Sequence, residues 1–106
     1  LLLFKSQKHL DGKPLTLYCS LEPCHMCMGT IIVAKVQRVV WAADDLWGGA
    51  TRLYEMSSVY MKQRMPELTR TPYYDLQKRS VNKWIQYLKS IGKEDYIDKM
   101  FRWQAR

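Results

Sequence analysis

The sequence predicts an α/β domain with a mostly parallel central sheet, on three observations. Two short apolar strands, Leu15 to Leu21 and Val39 to Ala42, flank a helical stretch from about Pro23 to Ala34. A strand–helix–strand order pairs its strands in parallel, with a right-handed crossover as the default. The first strand offers side chains for burial on both faces: Leu17, Cys19 and Leu21 on one, Thr16, Tyr18 and Ser20 on the other. That suits a strand with helices on both sides. Finally, 106 residues, 47% hydrophobic and 25% charged, fit one ordinary globular domain.

The elements follow in order. Leu1 to His9 reads as the end of a helix, with Leu2, Leu3 and Leu10 as its apolar stripe and Lys5 and Lys8 at the negative end of its dipole. Asp11-Gly12-Lys13-Pro14 is a turn. After the first strand, Glu22-Pro23 is a break, and Pro23 suits the first turn of the next helix because it lacks an amide hydrogen. Ile31, Ile32, Val33 and Ala34 make the later turns of that helix so apolar that most of its circumference is expected to be buried. Asp44 to Ala50, with Gly48-Gly49, forms a loop at the carboxyl end of the second strand, where ligands bind in open α/β sheets. Leu53 to Met65 reads as a helix ended by Pro66, and Pro72-Tyr73-Tyr74 as a short extended piece or loop. Val81, Trp84, Ile85 and Leu88 recur at helical spacing, and Tyr96, Met100 and Trp103 predict a final helix after a break at Gly92. Residues 53–106 are therefore a mainly helical part of a single domain, 1–106.

Composition excludes some classes of function. The apolar runs fall far short of the roughly 18 residues of a membrane span. Leu1 to Phe4 is too short for a signal-peptide core and follows no basic segment. Three cysteines, an odd count in a chain rich in lysine and arginine, argue for reduced thiols and a cytoplasmic location over a disulfide scaffold. The net charge of +7 is uneven. Residues 1–50 carry five Lys/Arg against four Asp/Glu, and residues 51–106 carry twelve against six. The basic second half suits either a polyanion such as RNA or the solvated face of lysine-rich helices. The chain opens on Leu, not Met, and its first apolar run has no preceding cap, so part of the domain is expected upstream of Leu1.

The chemistry centres on Glu22-Pro23-Cys24-His25-Met26-Cys27-Met28-Gly29. Cys24 and Cys27, at i and i+3, share one helix face near an N-terminus whose free amides and dipole favour thiolates. Thiolates are zinc ligands, so the pair reads as half of a metal site; a redox pair or two core thiols are the alternatives.

The run from Thr16 to Ile31 resembles the zinc-dependent cytidine/deoxycytidylate deaminase superfamily. Met26 before the second cysteine and Gly29 after it look most like the branch of tRNA-adenosine, guanine and nucleoside deaminases. Ala34 to Asp45 and Gly49-Ala50 continue the likeness, which covers about residues 1–52. The resemblance implies a three-layer α-β-α fold, Zn2+ as cofactor and hydrolytic removal of an amino group from a nucleobase, nucleoside or nucleotide, in tRNA among other settings. It implies a homodimer or higher homo-oligomer. It makes Cys24 and Cys27 metal ligands, with the third ligand (His or Cys) and the proton-carrying glutamate expected in a His/Cys-x-Glu segment upstream of Leu1, because no such motif precedes residue 22 here.

Other residues weigh differently. Cys19 shares strand parity with Leu17 and Leu21 and reads as core; His9 reads as exposed; His25 points away from Cys24, toward a pocket or subunit surface. Backbone groups of Leu21, Glu22, Pro23 and Cys24 are candidates for substrate contact, and the Glu22 side chain is expected to support the strand-to-helix turn. Asp44 and Asp45 would contact a base edge or order their loop, and Trp47 would stack on a base or meet another subunit. A different class of function is a non-catalytic deaminase-like subunit with structural zinc that binds RNA or oligomerises. A CxxC redox protein is the third reading, and the residues after Cys27 speak against it.

Overall fold

The computed structural model describes residues 14–52 and 54–102. The helix end at Leu1 to His9, most of the Asp11–Pro14 turn, Leu53 and Trp103 lie outside those residues.

Strand β1 (Thr16–Leu21) leads through helix α1 (His25–Val33) to strand β2 (Arg38–Ala43). A 3-10 turn (Tyr54–Met56), helix α2 (Val59–Gln63), strand β3 (Glu67–Arg70), helix α3 (Tyr74–Ser90) and helix α4 (Asp95–Phe101) follow. The sheet order is β1-β2-β3 and both pairings are parallel, with Cys19 opposite Trp41 and Trp41 opposite Arg70. The expected βαβ unit and its parallel pairing are therefore present.

Alternation along the strands separates two faces. Met28, Ile31 and Ile32 of α1 pack with Val39 and Trp41 of β2, and Leu17, Cys19 and Leu68 join that cluster. Tyr18, Ser20, Val40 and Ala42, the other parity, share a cavity with Ser80 and Trp84 of α3. The Ser80 hydroxyl donates to the Ser20 carbonyl at 2.6 Å, which fixes α3 to β1. Val81 and Leu88 of α3 and Met100 and Phe101 of α4 form a second cluster with Ala43. Among the described residues, no helix is long and apolar enough to cross a membrane.

Two expectations need correction. First, α1 is not buried around most of its circumference: Met26 is 77% and Val33 50% exposed, on the side facing away from the sheet. Second, Leu53 to Met65 is not one helix. Ser58 caps α2 by accepting from the Met61 amide at 3.3 Å, so a serine side chain takes the place of a continuous helical ladder. Residues 53–106, read as mainly helical, also contain a strand that the sequence did not signal, β3. Its four residues contain one apolar side chain, Leu68, too few for a period-2 signal.

The helix ends follow their sequences. Gly92 adopts φ +73° just past α3, and the Lys93 amide reaches back to the Leu88 carbonyl at 2.8 Å. Lys35 does the same after α1 without being glycine, at φ 60°, while the Val36 amide donates to Ile31 at 3.2 Å.

Candidate functional site

Where β1 runs out, backbone bonds set the start of α1. The Glu22 amide donates to the Ala43 carbonyl at 2.8 Å, and the Ala50 amide donates to the Pro23 carbonyl at 2.9 Å. Cys24 then occupies the N-cap with extended backbone, and its carbonyl accepts from Met28 at 2.9 Å. Cys27 follows one turn later on the same face. Both thiols are exposed and line a cavity of about 700 Å³ together with Leu21, Glu22, Pro23 and Asp45.

The two sulfurs do not titrate alike. The Cys27 amide draws the Cys24 thiol below its ordinary range, against a smaller opposing effect of burial and helped by the Cys27 thiol and the Met26 amide. The Cys24 side chain forms no full capping hydrogen bond, but the amides at the start of α1 lie close enough to favour its thiolate. Cys27 moves up, first through burial and then because its thiol donates to Cys24 and faces the charge there. The pair therefore releases one proton readily and holds the second. Cys19, half-buried nearby, is raised chiefly by burial.

Two thiols in contact on one helix turn suit a soft divalent cation such as zinc, which replaces both protons. Among the described residues, no group of three or more His, Cys, Asp or Glu is placed to hold a metal ion.

Behind the thiols lies a polar cluster that sequence reasoning did not assemble. The Glu22 side chain is 0% exposed. Its Oε1 accepts from the Asp45 amide at 3.1 Å, and its Oε2 accepts from the Thr51 amide at 3.3 Å and from the Thr51 hydroxyl. Arg52 and Arg70 reach the same carboxylate at 3.4 and 3.7 Å. Both arginines also reach Asp44, at 3.3 and 3.2 Å, and the Trp41 indole donates to Asp44 at 2.7 Å. Glu22 follows β1, Asp44 and Asp45 follow β2, and Arg70 ends β3, so one network around the buried Glu22 joins the carboxyl ends of all three strands. A buried carboxylate demands partners, but which cations supply them depends on the fold. Arg70 was out of reach of the sequence because its strand was.

The remaining sequence candidates separate. Asp45 lines the thiol cavity, and its Oδ1 accepts from the Trp47 and Gly48 amides at 3.1 and 2.8 Å, which orders the loop. Asp44 and Trp47 are not among the residues lining that cavity. Trp47 instead packs at a tilt against Tyr96 of α4, with ring centroids 4.7 Å apart and planes at 48°. His25 lines a different cavity, of about 370 Å³, with Met28, Met56 and Met61. His9 lies outside the described residues.

Comparison with known proteins fits this geometry. A model of the MafB19-like deaminase family matches residues 4–102, including the half of the chain where the sequence alone offered no likeness. Short segments are similar to tRNA-specific adenosine deaminases. The Bacillus subtilis protein is 47% identical over 36 residues, which is 34% of this chain and 22% of that protein. The Haemophilus influenzae protein is 49% identical over 35 residues, 33% of this chain and 20% of that protein. A Streptococcus pyogenes protein is 40% identical over 42 residues, 39% of this chain and 26% of that protein. The aligned stretch thus spans about a quarter or less of each of these relatives.

Proposed function

We infer that this chain, which belongs to the MafB19-like deaminase family, is the metal-binding part of a zinc-dependent hydrolase that deaminates a nucleobase, nucleoside or nucleotide. The observation that carries this reading is the pair of thiols, Cys24 and Cys27, on one turn at the mouth of a cavity at the carboxyl end of the sheet. Similarity to tRNA-specific adenosine deaminases adds tRNA to the candidate substrates.

In this reading Cys24 and Cys27 hold the zinc. When bound, the metal supplies the Lewis acidity that makes hydroxide available near neutral pH. The chain's own contribution is placement. Pro23 and the Glu22 network fix the turn from which both thiols project. Leu21 to Cys24 line the cavity, where their backbone groups would orient a ring edge. Asp45 closes one wall and holds the Asp44–Ala50 loop against it. A third ligand and a proton-carrying glutamate, expected upstream of Leu1, would complete the centre. Assembly as a homodimer or higher oligomer belongs to the same proposal, and so does a cytoplasmic location.

The test is metal analysis of the full-length protein, combined with an ammonia-release screen over bases, nucleosides, nucleotides and tRNA. Near-stoichiometric zinc is expected, with zinc and activity both lost in Cys24→Ala and in Cys27→Ala. A Cys24→Ala protein that keeps both sinks the assignment. A non-catalytic subunit with structural zinc is the second reading: among the described residues, the thiols have no third donor beside them. Stoichiometric zinc without ammonia release from any substrate would favour it.

A further inference from the structure

On the sheet face opposite α1, a cavity of about 570 Å³ runs between β1, β2 and the exposed side of α3. Tyr18, Tyr73, Trp84, Arg79 and Lys83 are among the residues lining it. Tyr18 is 70% exposed, an unusual state for a tyrosine in the middle of a sheet strand. The groove continues along α3 into a shallower hollow formed by Lys83, Trp84 and Tyr87, where the Trp84 and Tyr87 rings meet edge-to-face at 5.8 Å. Arg79 and Lys83, four residues apart, are neighbours on one helix face. No acidic side chain lines either hollow, and among the described residues neither cation has an ion-pair partner. Cys19 and Ser20 of β1 line both this groove and the thiol cavity, which lies on the α1 side of the strand.

The geometry points to a docking groove for single-stranded nucleic acid, in which Tyr18, Tyr73 and Tyr87 offer faces for bases while Arg79 and Lys83 meet backbone phosphates. Exposed rings alternating with unneutralised cations fit a flexible polyanion that carries flat apolar groups. A duplex hides its base faces in its own stack and presents phosphate alone, which would leave the aromatic half of the groove without a role. The inference goes beyond the proposed activity and does not depend on it. The binding itself is measurable without turnover.

The experiment is fluorescence anisotropy of the full-length protein with a labelled oligonucleotide of about 12 nucleotides, within the usual span of a single-strand groove. RNA and DNA versions are run across a salt series, beside a duplex of the same length. Binding to either single strand, tighter than to the duplex, is expected. Arg79→Ala with Lys83→Ala should reduce the salt slope by about 1.4, two phosphate contacts at about 0.7 each. Tyr18→Ala should weaken binding about tenfold with the slope unchanged, since stacking carries no counterion release. Ammonia release from a free nucleoside should be unaffected by either variant. A duplex bound as tightly as the single strand, or an unchanged slope in the double variant, overturns the groove. So does full affinity in Tyr18→Ala. Normal oligonucleotide binding in a protein that releases no ammonia would sink the proposed activity and leave the groove standing.

Discussion

Replacing Gly49 with alanine adds one methyl group where the structure has no room for it. A Cβ at that position would lie 2.6 Å from the Asp45 carbonyl oxygen and closer still to the Glu22 carboxylate. Glu22 cannot swing away without loss, because it accepts from Asp45 and Thr51 and faces Arg52 and Arg70. The Asp45 carbonyl is backbone and also accepts the Gly49 amide at 3.0 Å, so it cannot rotate clear. Overpacking typically costs about 1–3 kcal/mol, and each hydrogen bond sacrificed to make room adds about 1 kcal/mol. The expected loss is therefore about 3 kcal/mol. For a domain near 100 residues that lowers the melting temperature by roughly 12–24 °C.

Thermal and urea denaturation of the variant measure this, with Gly48→Ala as the control. At Gly48 the nearest atom is the flexible Asp45 carboxylate, at 3.0 Å, which can give way, so its loss should stay below about 1 kcal/mol. Removing the Glu22 side chain in Gly49→Ala should not restore stability, since the clash with the Asp45 backbone persists. A Gly49→Ala protein within about 0.5 kcal/mol of the parent, the range of ordinary surface substitutions, would refute the packing described around Glu22.

Arg70→Met should cost about 1–2 kcal/mol in urea denaturation, less than a fully buried pair, because Arg70 is partly exposed and Arg52 still faces both carboxylates. Adding Arg52→Met should then cost more than the two single losses combined; strict additivity would mean that the arginines do not share one network. Lys35→Val places a β-branched residue at φ 60° and should destabilise by about 1 kcal/mol, read as a lower urea midpoint. In metal-stripped protein, iodoacetamide should label Cys24 first and Cys19 last, as followed by peptide mass mapping. As pH falls through the ordinary thiol range, Cys24, with its lowered pKa, should stay reactive after Cys27 and Cys19 have been protonated. Equal rates at all three thiols would contradict the role of the α1 amides.

What the sequence disclosed was what neighbouring residues control. The βαβ unit was legible because β1 and β2 are short apolar runs around a helix with a proline at its entrance. Gly92 marked the end of α3 because that position needs a positive φ. β3 was not legible, because Glu-Leu-Thr-Arg gains its strand conformation from pairing with β2, not from its own pattern. The exposed side of α1 was misread for a related reason: Met26 and Val33 are apolar, and apolarity alone does not say which face meets the sheet. The thiol pair was plain from Cys24 and Cys27. The cluster behind it was not, since Glu22, Asp44, Thr51, Arg52 and Arg70 are brought together only by the parallel sheet.

That cluster bears on how two cysteines on an otherwise exposed turn would serve as the metal-binding pair of the proposed function. α1 begins without a side-chain cap, and the outward faces of Cys24 and Cys27 are open, so the turn has little local restraint of its own. Restraint comes from behind: Glu22 is tied to loop backbone at Asp45 and Thr51 and to cations from beyond β2 and from β3, while Pro23 holds the Ala50 amide. A ligand set keeps its geometry when the side chains and backbone supporting it are themselves fixed. In the proposed function the Glu22 network would thus act on the thiols through position, two residues away, and not as a ligand. It follows that Glu22→Gln, which keeps the shape and loses the charge, should loosen zinc retention in a chelator competition before it lowers the melting temperature by more than a few degrees. A variant that melted early but held zinc as tightly as the parent would show that the network stabilises the sheet and leaves the thiols indifferent.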